Sequence, residues 1–338
     1  MDVAIIFYVV SDSVHDSIRT IQIATSQPAQ SPVHVLSTGI SLQHFRQGLA
    51  STPAIEVHDT VPFSQHAVAF KERYYAHQSV NPREYELFCF NRWHILYEFT
   101  RSRLGGGSIR MRWLLADGDV AITRPATWFR SEHADVSIYL LGALSVWSTR
   151  ALEDFAEYLL WLYNPSAAAR NQLTTFVGRS STNATRPCSP AESADACLAE
   201  GTQVELIPPV LLDRGGNSTL ERSVRHFSDM HALMAWMSGM RGASGRGGRG
   251  LRVHREHLVD RTSMSPCGGK TVTLGNGLPW DTKLRRDAHA LRCSCGVEGL
   301  LACNISDEQV CAVHFQGFKK ALAVKALPAR CPMRRVDT

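Results

Sequence analysis

The sequence predicts an α/β protein built on a mixed, mostly parallel sheet flanked by helices. Three observations predict it. An apolar run over residues 3–10 leads through helically spaced Ile18, Ile21 and Ile23 to a second apolar run at 33–36, which reads as a βαβ opening. Two further stretches, 83–102 and 148–163, carry apolar residues at helical spacing between clear start and stop signals. Between them lies a third apolar run from 112, long enough for a buried strand, which stops at Asp117-Gly118-Asp119 as an acidic strand end and then resumes to 122. A right-handed βαβ crossover gives parallel strands, and in an open α/β sheet ligands collect at the carboxyl ends of those strands.

Taken in order, residues 3–10 form the first strand, and Ser11-Asp12-Ser13 supplies cap or loop residues before the first helix. That helix breaks at Gln27-Pro28, and Val33-His34-Val35-Leu36 is the second strand. Residues 40–80 are mixed and loop-rich. In the helix over 83–102, Leu87, Phe90, Trp93, His94 and Tyr97 recur at three and four residues, and Gly105-Gly106-Gly107 ends it. The central strand with its acidic end follows, and the apolar residues after it meet a turn at Arg124-Pro125. Residues 136–141 are another strand. Ser148 caps the next helix and Asn164-Pro165 closes it. From 166 to 201 the composition turns polar, a long excursion. Residues 204–207 read as a strand, 227–237 as a capped helix, and 240–250 as a basic, glycine-rich stretch within a second excursion to 290. Residues 307–320 extend through His314-Phe315-Gln316-Gly317 to Lys319. No internal repeat is visible, so the expectation is one catalytic domain over 1–338 with excursions at 166–201 and 240–290.

At 338 residues the chain can bury a large core, and 44% hydrophobic with 20% charged residues is an ordinary globular balance. No run approaches the ~20 apolar residues of a membrane span. The opening lacks a basic region and a small-residue cleavage site, so it reads as a strand rather than a signal peptide. A net charge of +5 suits an anionic small molecule as well as a weak nucleic-acid footprint, and so does not choose between them. The arginine-glycine stretch 241–250 lacks the interleaved aromatics of a nucleic-acid tether, so nucleic acid is not an expected partner.

Nine cysteines include Cys188 and Cys197, spaced to bridge within a loop, and Asn183, Asn217 and Asn304 begin N-x-S/T acceptors. Both features lean towards a secretory lumen. Cys293, Cys295, Cys303 and Cys311 lack the paired C-x₂₋₄-C spacing of a zinc knot, which leaves disulfides or free thiols.

Asp117 and Asp119, two carboxylates at i and i+2 around a permissive glycine, can share one hard divalent cation. Mg²⁺ or Mn²⁺ suits such oxygen ligands, with substrate phosphates completing the shell. An acidic pair of this kind alone is common in solvated turns, and the segments around it give it meaning. Tyr85–Trp93, then Leu114-Leu115-Ala116-Asp117-Gly118-Asp119-Val120, then Ser228-Asp229-Met230, then His314-Phe315-Gln316-Gly317 with Lys319, in that order, resemble the nucleotide-diphospho-sugar glycosyltransferases of the GT-A type. The likeness covers roughly two thirds of the chain and leaves the two excursions unmatched.

The resemblance implies a glycosyltransferase that uses Mn²⁺ or Mg²⁺ and a nucleotide-sugar donor, taken as a UDP-sugar, with a carbohydrate, protein or lipid acceptor. It implies Asp119 and His314 as metal ligands, Asp117 on the metal or ribose, Lys319 on the diphosphate, and Gly317 as a point of close backbone approach. Arg92 corresponds to basic residues that touch the donor; the residues themselves equally allow an exposed helix arginine. Asp229 corresponds to a catalytic base or acceptor contact, and its position equally suits a helix N-cap. Asp-Gly-Asp departs from the Asp-Ser-Asp or Asp-Ala-Asp of the family, and a central glycine is expected to loosen the loop. A catalytically degenerate protein that binds a nucleotide sugar or a partner is the alternative. Relatives of this type work in the Golgi lumen, to which this chain would be tied through a missing segment; otherwise the cytoplasm is expected.

Overall fold

In the computed structural model the described residues are 3–9, 14–25, 31–52, 54–74, 82–104, 111–129, 134–140, 143–163, 228–239, 251, 253–255, 270–274, 291–295, 301–305, 308–315 and 327. The expected excursion at 166–201, the strand at 204–207, the bridge between Cys188 and Cys197, Asn183, Asn217, Gly317 and Lys319 lie outside them, as does most of 240–290. The chain divides into two compact units, Met1–Val61 with Gly106–Thr149 and Arg252–Thr338, and Pro62–Gly105 with Arg150–Leu251.

The first unit holds a seven-stranded sheet. Its strands are β1 (Val3–Tyr8), β2 (Val33–Ser37), β3 (Ile55–Asp59), β4 (Arg112–Asp117), β6 (Val136–Leu140), β7 (Leu144–Trp147) and β8 (Val253–Arg255), in the order β3-β2-β1-β4-β7-β6-β8. β1, β2, β3 and β4 are mutually parallel, β7 runs against both β4 and β6, and β8 runs with β6. This is the expected mixed, mostly parallel sheet. β1 is buried along its whole length, as its unbroken apolar run requires of a strand covered on both faces.

Helices α1 (Val14–Ala24) and α2 (Gly39–Leu49) pack on this sheet through Val14, Ile21, Ala24, Phe45 and Leu49, which share one core with Val3, Ile5, Phe7, Val33, Val35 and Leu114. α2 and β3 fall within the stretch expected to be loop-rich. The helix was readable from Leu42, Phe45 and Leu49 at helical spacing; β3 is an edge strand with polar Glu56, His58 and Asp59, so its pattern is weak.

The central strand ends at the acidic pair, as expected, and the apolar residues beyond it form a separate strand. β4 belongs to the large sheet, and β5 (Val120–Ile122) joins a second sheet with β10 (Arg292–Cys295), β11 (Leu301–Ile305) and β12 (Glu308–Phe315), in the order β10-β11-β12-β5. β9 (Lys270–Leu274) also pairs with β12, in parallel. Its small core gathers Ala121, Val310, Val313 and Phe315 around Ile23 and Leu327. Cys293 and Cys303 face each other across β10 and β11 and form a disulfide, and Cys295 and Cys311 are also disulfide-bonded. Disulfides, rather than a zinc knot, are therefore the state of these cysteines.

The second unit contains α3 (Gln65–Arg73), α4 (Arg83–Arg103), the bulk of α5 (Thr149–Leu162) and α6 (Asp229–Gly239). α4 and α5 match the expected helices to within a residue or two. Aromatic rings fill the interior: Phe70, Tyr74, Phe90 and Tyr163 lie within 6 Å of one another, and Phe155 sits 5.1 Å from both Trp93 and Trp236.

The His94 ring lies tilted against Phe70, 4.9 Å between centroids, in this interior, and neither ring nitrogen has a hydrogen-bond partner among the described residues. Burial, reinforced by nearby His66, pulls its pKa from 6.5 down to about 3. The folded protein therefore refuses a proton that the unfolded chain accepts. The stability this neutral ring confers is complete above pH 6.5 and is lost as pH falls from there towards 3. Between pH 6.5 and 4.5 the expected loss is about 2–3 kcal/mol from this one ring. Urea unfolding at both pH values should show a steeper decline for the native chain than for His94→Leu; equal declines would contradict the assignment.

Candidate metal and donor site

The acidic turn is made where the chain leaves one sheet for the other. β4 ends at Asp117, whose backbone N–H donates to the Ala143 carbonyl at 2.9 Å, and β5 begins at Val120. Gly118 and Asp119 fill the two positions between. β12 then lies antiparallel to β5 with His314 opposite Val120, and the Phe315 N–H donates to the Asp119 carbonyl at 2.9 Å. This backbone clamp, not side-chain attraction, brings the late histidine to the acidic pair.

His314 Nε2 lies 3.4 Å from Asp119 Oδ1, and one ligand atom from each of Asp117, Asp119 and His314 falls within 4.8 Å of the other two. All three side chains are half-buried. Two carboxylates and an imidazole offer oxygen-dominated donors that fit a divalent ion of the Mg²⁺ or Mn²⁺ kind, and the spacing of the three atoms allows one ion to be shared. The structure thus brings together the three residues that the sequence assigned to a metal from positions nearly two hundred residues apart; Gly317 and Lys319, next along the same segment, fall outside the described residues.

Gly118 does not loosen this turn. A Cβ built there would lie 2.7 Å from Val9 Cγ2 and 2.8 Å from Ser17 Oγ, closer than real side chains approach, and the Thr20 hydroxyl donates to the Gly118 carbonyl. The glycine is needed for close packing against β1 and α1, and the bond from Thr20 holds the peptide in place. Ser17 and Thr20 were missed from sequence; their only signal is that they sit three residues apart on the helix that follows the first strand.

Arg92 and Asp229 come together in the second unit. Asp229 Oδ2 accepts from Arg92 Nη2 at 2.7 Å and from Trp93 Nε1 at 2.8 Å, and the Arg92 guanidinium lies 4.9 Å from the Trp93 ring. Asp229 is 2% exposed and Arg92 8%. The arginine is therefore not an exposed helix residue. Asp229 is the first residue of α6, whose opening turn is closed by the Ala232 N–H on the Ser228 carbonyl, and its carboxylate is turned towards α4. A carboxylate engaged by a guanidinium and an indole on one oxygen can fix α6 against α4.

No family model and no curated protein sequence matches the chain. Solved structures do. Mouse xyloside xylosyltransferase 1, in its apo form, aligns over 52% of this chain and 76% of its own, at 10% identity and a TM-score of 0.36. The PaToxG glycosyltransferase aligns over 48% of this chain and 60% of its own, at 9% identity and a TM-score of 0.29. At such scores neither likeness carries weight for activity, which rests on the residues of this chain.

Proposed function

We propose that the chain is a metal-dependent glycosyltransferase of the GT-A type that moves a sugar from a nucleotide diphosphate donor, a UDP-sugar, to a hydroxyl-bearing acceptor. The observation that carries this reading is the convergence of Asp117, Asp119 and His314 donor atoms within 4.8 Å at the carboxyl end of a parallel strand. Asp119 and His314 would hold the ion, with Asp117 on the ion or the ribose. A divalent ion bound there offsets the negative charge that builds on the departing nucleotide diphosphate.

The residues themselves do the rest. The clamp between β5 and β12 fixes the imidazole and the carboxylate before substrate arrives, so little reorganisation accompanies charge development. Lys319, five residues beyond His314, is the proposed diphosphate contact through its ammonium group, and Gly317 the point of backbone approach. Asp229 remains the proposed acceptor-side carboxylate and Arg92 the proposed donor-side cation; each would have to act from within the pair they form. The cross-strand disulfide supports an oxidising compartment such as the Golgi lumen.

The reading is tested by hydrolysis of a panel of UDP- and GDP-sugars, each with and without Mn²⁺. Metal-stimulated release of the nucleotide from one donor is expected, together with a metal-dependent rise in melting temperature when that nucleotide is added. Binding without turnover of any donor would favour the degenerate alternative, and neither binding nor turnover would defeat both. Lys319→Ala should raise the Kd for UDP by roughly 10- to 100-fold, the worth of one charge-assisted contact, with an unchanged melting temperature. An unaltered Kd would remove Lys319 from the site.

A further inference from the structure

On the edge of the large sheet, away from the acidic turn, two histidines and a glutamate converge on one point. His34 lies on β2, and Glu56 and His58 lie two apart on β3, so all three project from the same face. His34 Nδ1 is 3.2 Å from His58 Nε2, His58 Nε2 is 3.3 Å from Glu56 Oε2, and Glu56 Oε2 is 3.6 Å from His34 Nδ1. The three atoms form a nearly equilateral triangle.

Hydrogen bonding cannot satisfy that triangle when Glu56 is a carboxylate. An imidazole nitrogen has a single in-plane orbital, so it either donates or accepts, never both. Three bonds joining three atoms need at least one corner to do both, and a carboxylate oxygen only accepts. With Glu56 as a carboxylate, at least one edge of the triangle therefore sets lone pair against lone pair or proton against proton. A cation at the centre would meet all three atoms with lone pairs.

The dimensions select the cation. Ligand bonds of about 2.0–2.2 Å in tetrahedral geometry place neighbouring donors about 3.3–3.6 Å apart, close to the 3.2, 3.3 and 3.6 Å edges found here. Two imidazoles and one carboxylate suit Zn²⁺ better than Mg²⁺ or Mn²⁺, whereas the Asp117, Asp119 and His314 set is the harder of the two. The sites are also separate. In register across the sheet, His58 aligns with Leu36, Tyr8 and Asp117 in turn, three strand steps or about 14 Å at ordinary strand spacing.

We propose that His34, Glu56 and His58 form a zinc site on the β2–β3 edge, with three protein ligands and the fourth position open to water or to a ligand from solvent. The two strands supply the ligands jointly, so the ion ties the polar edge strand to its neighbour. Glu56 is more than half exposed, giving the ion an entry path, while His34 is buried beside Trp113, whose ring centroid is 6.3 Å away.

The test uses the full chain carrying Asp119→Ala, which takes a ligand from the acidic turn. Equilibrium dialysis against Zn²⁺, with Co²⁺ as the optical probe of geometry, should show about one equivalent bound and a tetrahedral Co²⁺ spectrum. Adding Glu56→Gln or His58→Gln should weaken Zn²⁺ at least roughly tenfold and abolish the tetrahedral spectrum. Both positions lie on an edge strand and are not fully buried, so circular dichroism should show the fold intact; His34→Asn is the third variant. No bound Zn²⁺ at micromolar concentration, or the same affinity and spectrum in Glu56→Gln and His58→Gln, would overturn the proposal. A failure of sugar transfer would leave these readouts untouched.

Discussion

Asp119→Ala is expected to lose metal-stimulated donor turnover by roughly 10²- to 10³-fold or more, the usual cost of removing one group that stabilises developing charge. Its melting temperature without ligand should stay close to that of the native chain. The backbone clamp explains why the two effects separate: the Phe315 N–H bonds to the carbonyl of residue 119, which alanine retains. What disappears is the carboxylate 3.4 Å from His314 and with it the shared position for an ion. Nucleotide release from the preferred UDP-sugar, followed with and without Mn²⁺ alongside a thermal melt, checks both halves. Near-native turnover in this variant would defeat the proposed function, because no described residue replaces Asp119 between Asp117 and His314.

Asp229→Ala should act on stability instead. The substitution leaves the Arg92 guanidinium buried without its counter-charge and the Trp93 indole N–H without its acceptor. Breaking a buried pair from one side costs about 3–5 kcal/mol, far more than the pair contributes against an apolar replacement. Asp229→Asn keeps an acceptor and should lose less. Arg92→Met combined with Asp229→Leu should recover much of the loss, since it removes both charges at once. Urea unfolding of the four proteins decides the matter. A single variant that melts like the native chain yet transfers no sugar would instead place Asp229 in the chemistry, as the acceptor-side carboxylate.

Sequence reading reached the parts of the molecule whose cause is local. The opening βαβ, α4 and α5 declare themselves through unbroken apolar runs, helical spacing, Ser148 and the flanking prolines. The acidic turn was legible because few side chains suit a divalent ion, whereas His314 was reached only through the resemblance to the GT-A glycosyltransferases. What escaped depends on distant neighbours. The apolar residues after the acidic strand end were given no partner, because nothing in their pattern reveals that β5 pairs with β12, tied in part by the Thr123 hydroxyl on the Val310 carbonyl 187 residues later. Gly118 read as slack because Val9, Ser17 and Thr20, which crowd and hold it, approach from the first strand and helix. β7 has four residues and runs straight into the cap of α5, too short for a period to show. His34, Glu56 and His58 escaped because a triangle shared by two strands has no one-dimensional spacing.

The pairing of β5 with β12 also sets a schedule. During synthesis the strands and helices of residues 3–163 can emerge and begin to associate long before the segment that carries His314 leaves the ribosome. Until then the acidic turn faces water with one of its three donors still unmade, and closing so long an intervening loop is among the slower events available to a folding chain. A nascent or prematurely terminated product would therefore keep a sheet yet lack the His314 donor of the proposed metal site, which ties that site to the arrival of β12.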